Sequence, residues 1–391
     1  MQRRLVRIAN AVLDLEPYNA TEGRYPRLND LRSGILKLDR NETTVGPSPA
    51  VVEAIKNFII NRPLNWYPDP DAEELKIKIS EYVSHPPDHI SCYGGADIAL
   101  EHIARTYLEQ GTEIVISAPV FSNVRLAAKS TGARVIEAYH PNPFNPGIET
   151  LVEHIGPRTR MIYISNPNDP TGVLFSEAEL VFLLAYAENV MIVVDEAYFE
   201  YCGRSAVDLV KRFRNLTIVR SFSNGFGLAS LGVGYVISDP ENFEFIQRIK
   251  TGYGINSVAQ IAAFAALENH DYTNEYIAAV DQSKKVLSSS LPEIGYDFQM
   301  TPANFFLLRI SEPGEAAEFL EQKGILVRNL AGIKQLDGYL RVTIGTPEQT
   351  DRLLLALSRM AEKFATGFNR NRAVEGADKS VDRLKKPISI K

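Results

Sequence analysis

The chain has 391 residues, of which 45% are hydrophobic, enough apolar material for the cores of two or three domains. Its charged residues are spread along the sequence and the formal net charge is -6, which argues against nucleic acid as the main partner. The two cysteines, Cys92 and Cys202, are too few for a disulfide framework and indicate a reducing compartment. These properties favour a cytoplasmic protein that acts on small molecules.

The N-terminal segment, residues 1–34, is predicted to be an extension outside the folded domains. Arginines precede a mildly apolar stretch there, but Asn10 and Asp14 interrupt that stretch and no small-residue cleavage site follows. We therefore do not expect a targeting peptide. The most apolar region, residues 180–194, contains Glu188 and is not expected to span a membrane.

Short β-branched runs alternate with segments of helical periodicity through the middle of the chain. This alternation predicts a largely parallel sheet covered by helices on both faces. The predicted strands are residues 113–117, 134–138, 161–165, 191–195, 217–221 and 234–238. We predict that they form a large domain over residues 65–265.

A second region follows a long helical stretch near residues 257–290. Its predicted elements are strands at 304–309, 324–329 and 339–344 and a helix at 347–364. We predict a smaller α+β domain formed by residues 35–64 and 266–364. The tail, residues 365–391, has poor apolar periodicity with seven basic and three acidic residues, and is predicted to be a flexible basic extension.

Polar or glycine-containing segments occur where strands of the predicted sheet end, which is where a parallel sheet binds its ligand. Residues 93–97 read YGGAD before a helix, and their small side chains allow backbone N–H groups to approach an anion at the helix N-terminus. Residues 165–172 read SNPNDPTG, and residues 193–198 read VVDEAY. Taken singly, each segment could be an ordinary turn, cap or packing device.

A fourth segment, residues 220–235, reads RSFSNGFGLASLGVGY, a polar turn followed by a glycine-rich apolar run. In their order and spacing, the four segments resemble the class I/II aminotransferases among the fold-type I pyridoxal-phosphate enzymes. The resemblance is strongest to histidinol-phosphate aminotransferases, whose usual pattern at the fourth segment is SKAFGLAGLRxGY. With further matches such as YPDP at residues 67–70 and LRVT at 340–343, it covers about residues 35–362.

The resemblance implies an α/β fold in which a mostly parallel seven-stranded sheet lies between helices, with a smaller α+β domain. It also implies how the pyridoxal ring would be held. Asp195 would pair with the pyridine nitrogen, Tyr198 would hydrogen-bond the phenolic oxygen, and Phe121 would stack on the ring.

The resemblance further implies the contacts to the cofactor phosphate. The backbone at Gly95 and Ala96 would hold it together with Ser221 and Ser223. Tyr67 would reach it from a neighbouring subunit, so the resemblance implies a homodimer.

On the substrate side, the resemblance implies that Arg341 grips a carboxylate and Arg328 a second anionic group, because the planar guanidinium suits such anions. Asn41 matches a substrate-binding position of the same family. The implied ligand is therefore a small molecule bearing a carboxylate or a phosphate.

Three cofactor positions depart from the family pattern. Asn224 stands at the position of the lysine, Gly232 at that of the phosphate-binding arginine, and Asp169 at that of the asparagine before Pro-Thr-Gly. The Asn224 amide cannot form a Schiff base or move a proton between the substrate Cα and the cofactor. Each departure also makes the site one unit more negative, three units in all. A single inactivating substitution would explain Asn224 but not the other two.

These departures leave three hypotheses. The first is an aminotransferase-like homodimer with a degenerate site that binds a small amino or keto acid or an amino-phosphate, any pyridoxal or pyridoxamine phosphate being held non-covalently. The second is a non-catalytic binding or regulatory homologue, with no cofactor. The third is a pyridoxamine-phosphate enzyme without a Schiff-base lysine. Whether Lys250 or another amine reaches the pocket stays open, and the histidines include no convincing metal set.

Overall fold

The computed structural model describes residues 8–13, 15, 34–120, 123–250 and 252–364. Most of the predicted N-terminal extension, Phe121 and the predicted tail at 365–391 therefore lie outside the described residues.

Twelve β-strands are present in the described residues. They are β1 Leu36–Leu38, β2 Ile90–Tyr93, β3 Glu113–Ala118, β4 Arg134–Tyr139, β5 Thr159–Ser165, β6 Met191–Asp195, β7 Leu216–Ser221, β8 Gly234–Ser238, β9 Phe298–Met300, β10 Phe305–Arg309, β11 Ile325–Asn329 and β12 Tyr339–Thr343.

Thirteen α-helices lie between or beside these strands in the same described ranges. They are α1 Asn10–Leu13, α2 Pro49–Asn61, α3 Glu73–Val83, α4 Ala96–Tyr107, α5 Val124–Ser130, α6 Ile148–Val152, α7 Glu177–Tyr186, α8 Phe199–Cys202, α9 Pro240–Ile246, α10 Ser257–Glu268, α11 His270–Glu293, α12 Pro313–Gln322 and α13 Pro347–Phe364.

The large sheet has seven strands in the order β2-β8-β7-β6-β5-β3-β4. The strands from β7 to β4 are parallel, and β8 runs antiparallel to both β7 and β2. The prediction of a mostly parallel α/β sheet of seven strands is confirmed. The six strands predicted from periodicity are all present, with ends that differ by two residues at most.

Burial on both faces explains why these strands read as almost continuous apolar runs. Along β6 the side chains alternate between two core clusters: Ile192 and Val194 belong to one, and Met191 and Val193 to the other. Because both faces of β6 are covered, a polar side chain is best accommodated at the C-terminal end of the strand, which is Asp195.

The described residues fold into two compact units, one drawn from residues 8–13, 15 and 46–271 and the other from residues 34–45 and 272–364. This division places residues 46–64 and 266–271 in the first unit, whereas the sequence analysis placed them in the smaller domain. The reason is the packing of α2, whose Val51 lies in the same core cluster as Ala259 and Ala262 of α10. The sequence alone did not show which sheet α2 would cover.

The second unit contains a five-stranded sheet in the order β1-β11-β12-β10-β9. β1 is parallel to β11 and the other neighbours are antiparallel. The predicted long helix near residues 257–290 is in fact two helices, α10 and α11. They separate at Asn269, whose backbone (φ −118°, ψ 40°) is not helical, and asparagine leaves helical geometry readily.

None of the helices in the described ranges combines the length and the apolar character needed to cross a bilayer.

Candidate functional site

The turn between β2 and α4 is built by close backbone packing. Gly95, with φ +109°, directly precedes α4, which begins at Ala96. A Cβ on Gly94 would lie 2.5 Å from the carbonyl oxygen of Gly254, and a Cβ on Gly234 would lie 2.6 Å from the backbone nitrogen of Ala96. Only glycine fits these two positions, so the turn holds the first backbone N–H groups of α4 at the carboxyl edge of the sheet.

Asp195 ends β6 as a buried carboxylate. The Tyr163 hydroxyl donates to its Oδ2 at 2.7 Å, and the Ala197 N–H donates to its Oδ1 at 3.0 Å. Burial raises the pKa of Asp195 to about 6, against the lowering effect of these two hydrogen bonds, and the charges of Asp97 and Asp169 raise it further. The neighbouring charges that shift the pKa of Asp195 are thus those of other carboxylates.

Tyr198 and Asp169 are in direct contact although they follow different strands. Asp169 comes after β5, and Tyr198 precedes α8 after β6. The Tyr198 hydroxyl donates to Asp169 Oδ2 at 2.6 Å. The Asn168 side chain fixes the Asp169 loop by accepting from the N–H of Thr171 at 3.1 Å and from its hydroxyl at 2.8 Å.

Asn224 lies in the loop after β7 and is tied to the segment that follows β6. Its Nδ2 donates to the carbonyl oxygen of Ala197 at 3.3 Å, and the Tyr201 hydroxyl donates to its backbone oxygen at 2.7 Å. In the same loop the N–H of Ser223 donates to the Ser221 hydroxyl at 3.1 Å. The amide of Asn224 therefore acts as a hydrogen-bond donor within the protein.

Gly232 adopts the left-handed conformation, with φ +59°. A Cβ placed there would lie 3.4 Å from the carbonyl oxygen of Gly94, so its backbone lies against the β2–α4 turn. An arginine in this backbone conformation would cost roughly 1–2 kcal/mol in local strain. The backbone conformation at this position thus favours glycine.

Lys250 is the amine left open by the sequence. Its Nζ lies 5.4 Å from the centroid of the Tyr93 ring, which itself packs edge-on against His102 of α4. After burial, the charges of Arg105 and Lys250 contribute to lowering the pKa of His102. The Lys250 ammonium therefore lies beside the aromatic ring of Tyr93, the last residue of β2.

Sequence reasoning missed a buried ionic cluster beneath the Asn224 loop. Arg220 of β7 is 1% exposed, and its Nη2 lies 2.9 Å from Glu196 Oε2. The guanidinium also donates to the Ser205 hydroxyl at 2.7 Å and covers the Phe199 ring at 3.5 Å from its centroid. The sequence signal for this cluster was Arg220 itself, which follows Ile218 and Val219 in β7.

Glu200 belongs to the same cluster. Its two carboxylate oxygens are buried and accept no hydrogen bond among the described residues. Burial raises the pKa of Glu200 to about 7, although the charge of Arg220 lowers it. A Cβ on Gly225 would lie 2.8 Å from Glu200 Cγ, so this carboxylate lies directly under the loop that contains Asn224.

Two arginines predicted to bind the substrate lie opposite each other in the second unit. Arg328 of β11 pairs in register with Arg341 of β12, so both side chains leave the same face of the sheet. Arg341 is 5% exposed and donates through Nη2 to the carbonyl oxygen of Asp39 at 2.9 Å. Like charges directly opposite destabilise a sheet, and an anion between them would offset that cost.

Asn41 lies buried in the second unit with left-handed backbone, φ 58°. Its N–H donates to the Thr343 hydroxyl at 2.9 Å, and Asn304 Nδ2 donates to its carbonyl oxygen at 2.8 Å. These bonds join the segment after β1 to β12, which gives Asn41 a structural role. Its predicted contact with a substrate stays a prediction.

Tyr67 lies on the surface of the first unit, 80% exposed, and stacks on Tyr253 with ring centroids 4.3 Å apart. Six large apolar side chains are exposed within residues 59–67 and at Tyr253. They are Ile59, Ile60, Leu64, Trp66, Tyr67 and Tyr253, which we call the Trp66 patch.

The structure brings the ring-side residues together: Asp169, Asp195, Tyr198 and Asn224 follow three adjacent parallel strands and are linked by the contacts above. Ser221 and Ser223 share the Asn224 loop. Phe121 lies outside the described residues. A cluster of three or more histidine, cysteine or acidic residues that could hold a metal does not occur in the described ranges.

Comparison with known proteins places this fold and site in a family. The sequence model of aminotransferase class I and II matches residues 33–357. The chain therefore belongs to the class I and II aminotransferases. It is 35% identical over 341 residues to a dihydroxyacetone phosphate transaminase of Campylobacter jejuni, covering 86% of this chain and 92% of that one.

Two histidinol-phosphate aminotransferases are also similar. That of Methanococcoides burtonii is 35% identical over 332 residues, covering 83% of this chain and 90% of that one. The second is the histidinol-phosphate aminotransferase of Sinorhizobium meliloti, whose crystal structure is in complex with pyridoxal-5'-phosphate. It superposes on this chain with a TM-score of 0.80 at 22% sequence identity, covering 93% of this chain and 99% of that one. Because the sequence identity to the Sinorhizobium meliloti enzyme is only 22%, this similarity shows a shared fold.

Proposed function

We propose that this protein is a histidinol-phosphate-aminotransferase-like protein that binds a vitamin B6 phosphate without a covalent bond and does not perform lysine-dependent transamination. The observation behind this proposal is Asn224. It stands where the family pattern has the lysine, and its amide donates to the Ala197 carbonyl oxygen at 3.3 Å. An amide nitrogen is not a nucleophilic amine, so it supplies neither the covalent link nor the proton transfer.

The residues present fit only part of what a pyridoxal phosphate needs. Asp195, held by Tyr163, supplies a buried carboxylate suited to a pyridine N–H, and the glycine turn before α4 supplies backbone donors suited to a phosphate. The residues do not fit covalent attachment, because Lys250 lies beside Tyr93. When bound, the cofactor would offer an electron-accepting ring, but this chain lacks the residue that uses it in the usual way.

The charge of the site supports weaker binding of the cofactor phosphate than in family members with the full pattern. Gly232 leaves out a charge-assisted contact to phosphate, typically worth roughly 1.5–3 kcal/mol. Asp169 adds a carboxylate beside Tyr198. Both changes act against a dianionic phosphate, so we propose an affinity below that of relatives with the full pattern.

The ligand proposed for the second unit is a small molecule with a carboxylate or phosphate. The register pair Arg328 and Arg341 supports this, because two guanidinium groups leave one face of the same sheet. The names of the two relatives, histidinol-phosphate aminotransferase and dihydroxyacetone phosphate transaminase, both include a phosphate ester. We propose a substrate or ligand of this chemical class.

We also propose a homodimer. The Trp66 patch supports it, because exposed large aromatic and aliphatic side chains are typical of protein interfaces. Light scattering in solution is expected to give the mass of two chains. A mass of one chain at micromolar concentration would contradict the dimer.

Restoring the lysine tests the proposed function. Wild type is expected to show no turnover of histidinol phosphate or dihydroxyacetone phosphate above background. Asn224→Lys is expected to gain the visible absorbance of a lysine-bound pyridoxal phosphate but to remain on the order of tenfold or more below an intact relative in kcat/KM, because Gly232 and Asp169 persist. Absorbance spectra and steady-state turnover measure both effects.

The Methanococcoides burtonii relative serves as the positive control, and Asn189→Lys makes the same change at an exposed asparagine of the first unit. Wild-type turnover at the level of the relative would refute the proposal. Full recovery in Asn224→Lys alone would show that Gly232 and Asp169 are incidental.

A further inference from the structure

Tyr163 and Asp195 lie on the same face of the large sheet. Tyr163 of β5 pairs in register with Val193 of β6, two residues before Asp195, and side chains two residues apart in a strand point to the same face. Val193 belongs to the core cluster that also contains Leu100 of α4. Asp195 therefore lies on the face of the sheet that is covered by α4, the helix that begins at the glycine turn.

Tyr163 holds one oxygen of the Asp195 carboxylate. Its side chain is fully buried, and its hydroxyl donates to Oδ2 at 2.7 Å. The other oxygen, Oδ1, accepts from the Ala197 N–H at 3.0 Å. A carboxylate has about four acceptor positions, so these two bonds fix its orientation and leave it able to accept from a ligand.

Three ionisable side chains of the described residues act on Asp195 from the elements packed around it. Burial and the charges of Asp97 of α4 and Asp169 of the loop after β5 raise the pKa of Asp195, to about 6. The hydrogen bond from Tyr163 of β5 acts in the opposite direction, because a donor stabilises the anion. Tyr163 is thus the ionisable side chain that favours the charged form of Asp195.

We infer that Tyr163 is a positioning residue whose hydroxyl holds Asp195 in place and keeps it an anion near neutral pH, ready to accept from a protonated group of the ligand. This inference rests on the proposed function only in naming that group, the protonated ring nitrogen of a vitamin B6 phosphate. The charge of Asp195 is a property of the ligand-free protein and is tested there first.

The first test is the pH dependence of unfolding in Tyr163→Phe without ligand. The native pKa of Asp195 lies above its ordinary value of 3.8, so its contribution to stability is present below pH 3.8 and is lost as the pH rises to about 6. Phenylalanine keeps the buried ring and removes the donor, which is expected to raise that pKa by about one pH unit and to extend the loss to higher pH. The unfolding equilibrium constant of Tyr163→Phe, relative to wild type, is therefore expected to increase about tenfold between pH 5 and pH 8.

Two control variants separate the charge of Asp195 from packing. Asp195→Asn removes the titrating carboxylate, so adding Tyr163→Phe to it is expected to have the same effect on unfolding at both pH values. Tyr296→Phe removes another buried hydroxyl, which donates to the carbonyl oxygen of Leu357 at 3.1 Å in the second unit. It is expected to lower stability equally at pH 5 and pH 8.

The second test is calorimetric titration with pyridoxamine phosphate over the same pH range. The affinity is expected to rise as Asp195 ionises, with a midpoint near pH 6 in wild type and about one pH unit higher in Tyr163→Phe.

A pH-independent effect of Tyr163→Phe on unfolding, or a binding midpoint that does not move, would overturn the inference. Wild-type protein that binds no pyridoxamine phosphate would contradict the proposed function instead. The unfolding measurements, which need no ligand, would still decide whether Tyr163 sets the charge of Asp195.

Discussion

Replacing Arg220 with leucine is expected to lower the free energy of unfolding by about 3–5 kcal/mol. The guanidinium is 1% exposed and lies 2.9 Å from Glu196 Oε2, and Glu196 itself is fully buried. Leucine would leave that carboxylate in the core without a counter-charge. It would also remove the packing of the guanidinium over Phe199. Urea denaturation followed by circular dichroism measures the effect.

Arg214→Leu is the matched control. Its side chain is 75% exposed and pairs with Glu241 at 3.0 Å on the surface, so its replacement is expected to cost less than about 1 kcal/mol. Equal losses in the two variants would show that the Arg220 cluster contributes nothing beyond a surface ion pair. If Arg220→Leu does not fold, Arg220→Lys keeps the charge without the planar guanidinium and is expected to lose an intermediate amount.

Replacing Glu200 with glutamine is expected to change how stability depends on pH. Burial raises the pKa of Glu200 from 4.5 to about 7, so between these values the native chain holds a proton that the unfolded chain has released. The native state is therefore favoured below pH 4.5, and this contribution is lost as the pH rises to about 7. The full loss amounts to about 3 kcal/mol, at 1.36 kcal/mol per pKa unit.

Glu200→Gln cannot ionise and is expected to lack this loss. The unfolding free energy of the variant, relative to wild type, should therefore rise by about 2–3 kcal/mol between pH 4.5 and pH 7.5. Glu241→Gln changes a side chain that is 64% exposed. The difference in unfolding free energy between this variant and wild type is expected to stay constant over the same pH range. If the unfolding free energies of the two variants, each relative to wild type, changed with pH in the same way, Glu200 would not be a buried protonated acid.

The ring-side residues could be predicted from sequence because parallel strands present their carboxyl ends at one edge. Asp195 and Asn224 end or follow neighbouring strands, and the structure joins them through the Ala197 segment. The bond from Tyr198 to Asp169 could not be predicted, because it depends on side-chain directions in two loops that are 29 residues apart in sequence.

The buried cluster was missed for a related reason. Arg220 lies near the end of β7 and Glu196 directly after the end of β6, and charged residues at such positions equally suit an exposed strand end. Their pairing follows from the register of β6 beside β7, a tertiary property. The break at Asn269 was missed because apolar periodicity continues across it while the backbone does not.

The proposal that the cofactor is not covalently linked is tested most directly by borohydride reduction of the wild-type protein with pyridoxal phosphate, followed by peptide mapping. Surface lysines that react at random are identified with the Asn224→Lys variant, in which the peptide containing residue 224 is expected to be labelled stoichiometrically. For wild type, we expect that no lysine in residues 46–271 is labelled stoichiometrically. One stoichiometric pyridoxyl-lysine there, Lys250 included, would contradict the proposed non-covalent site.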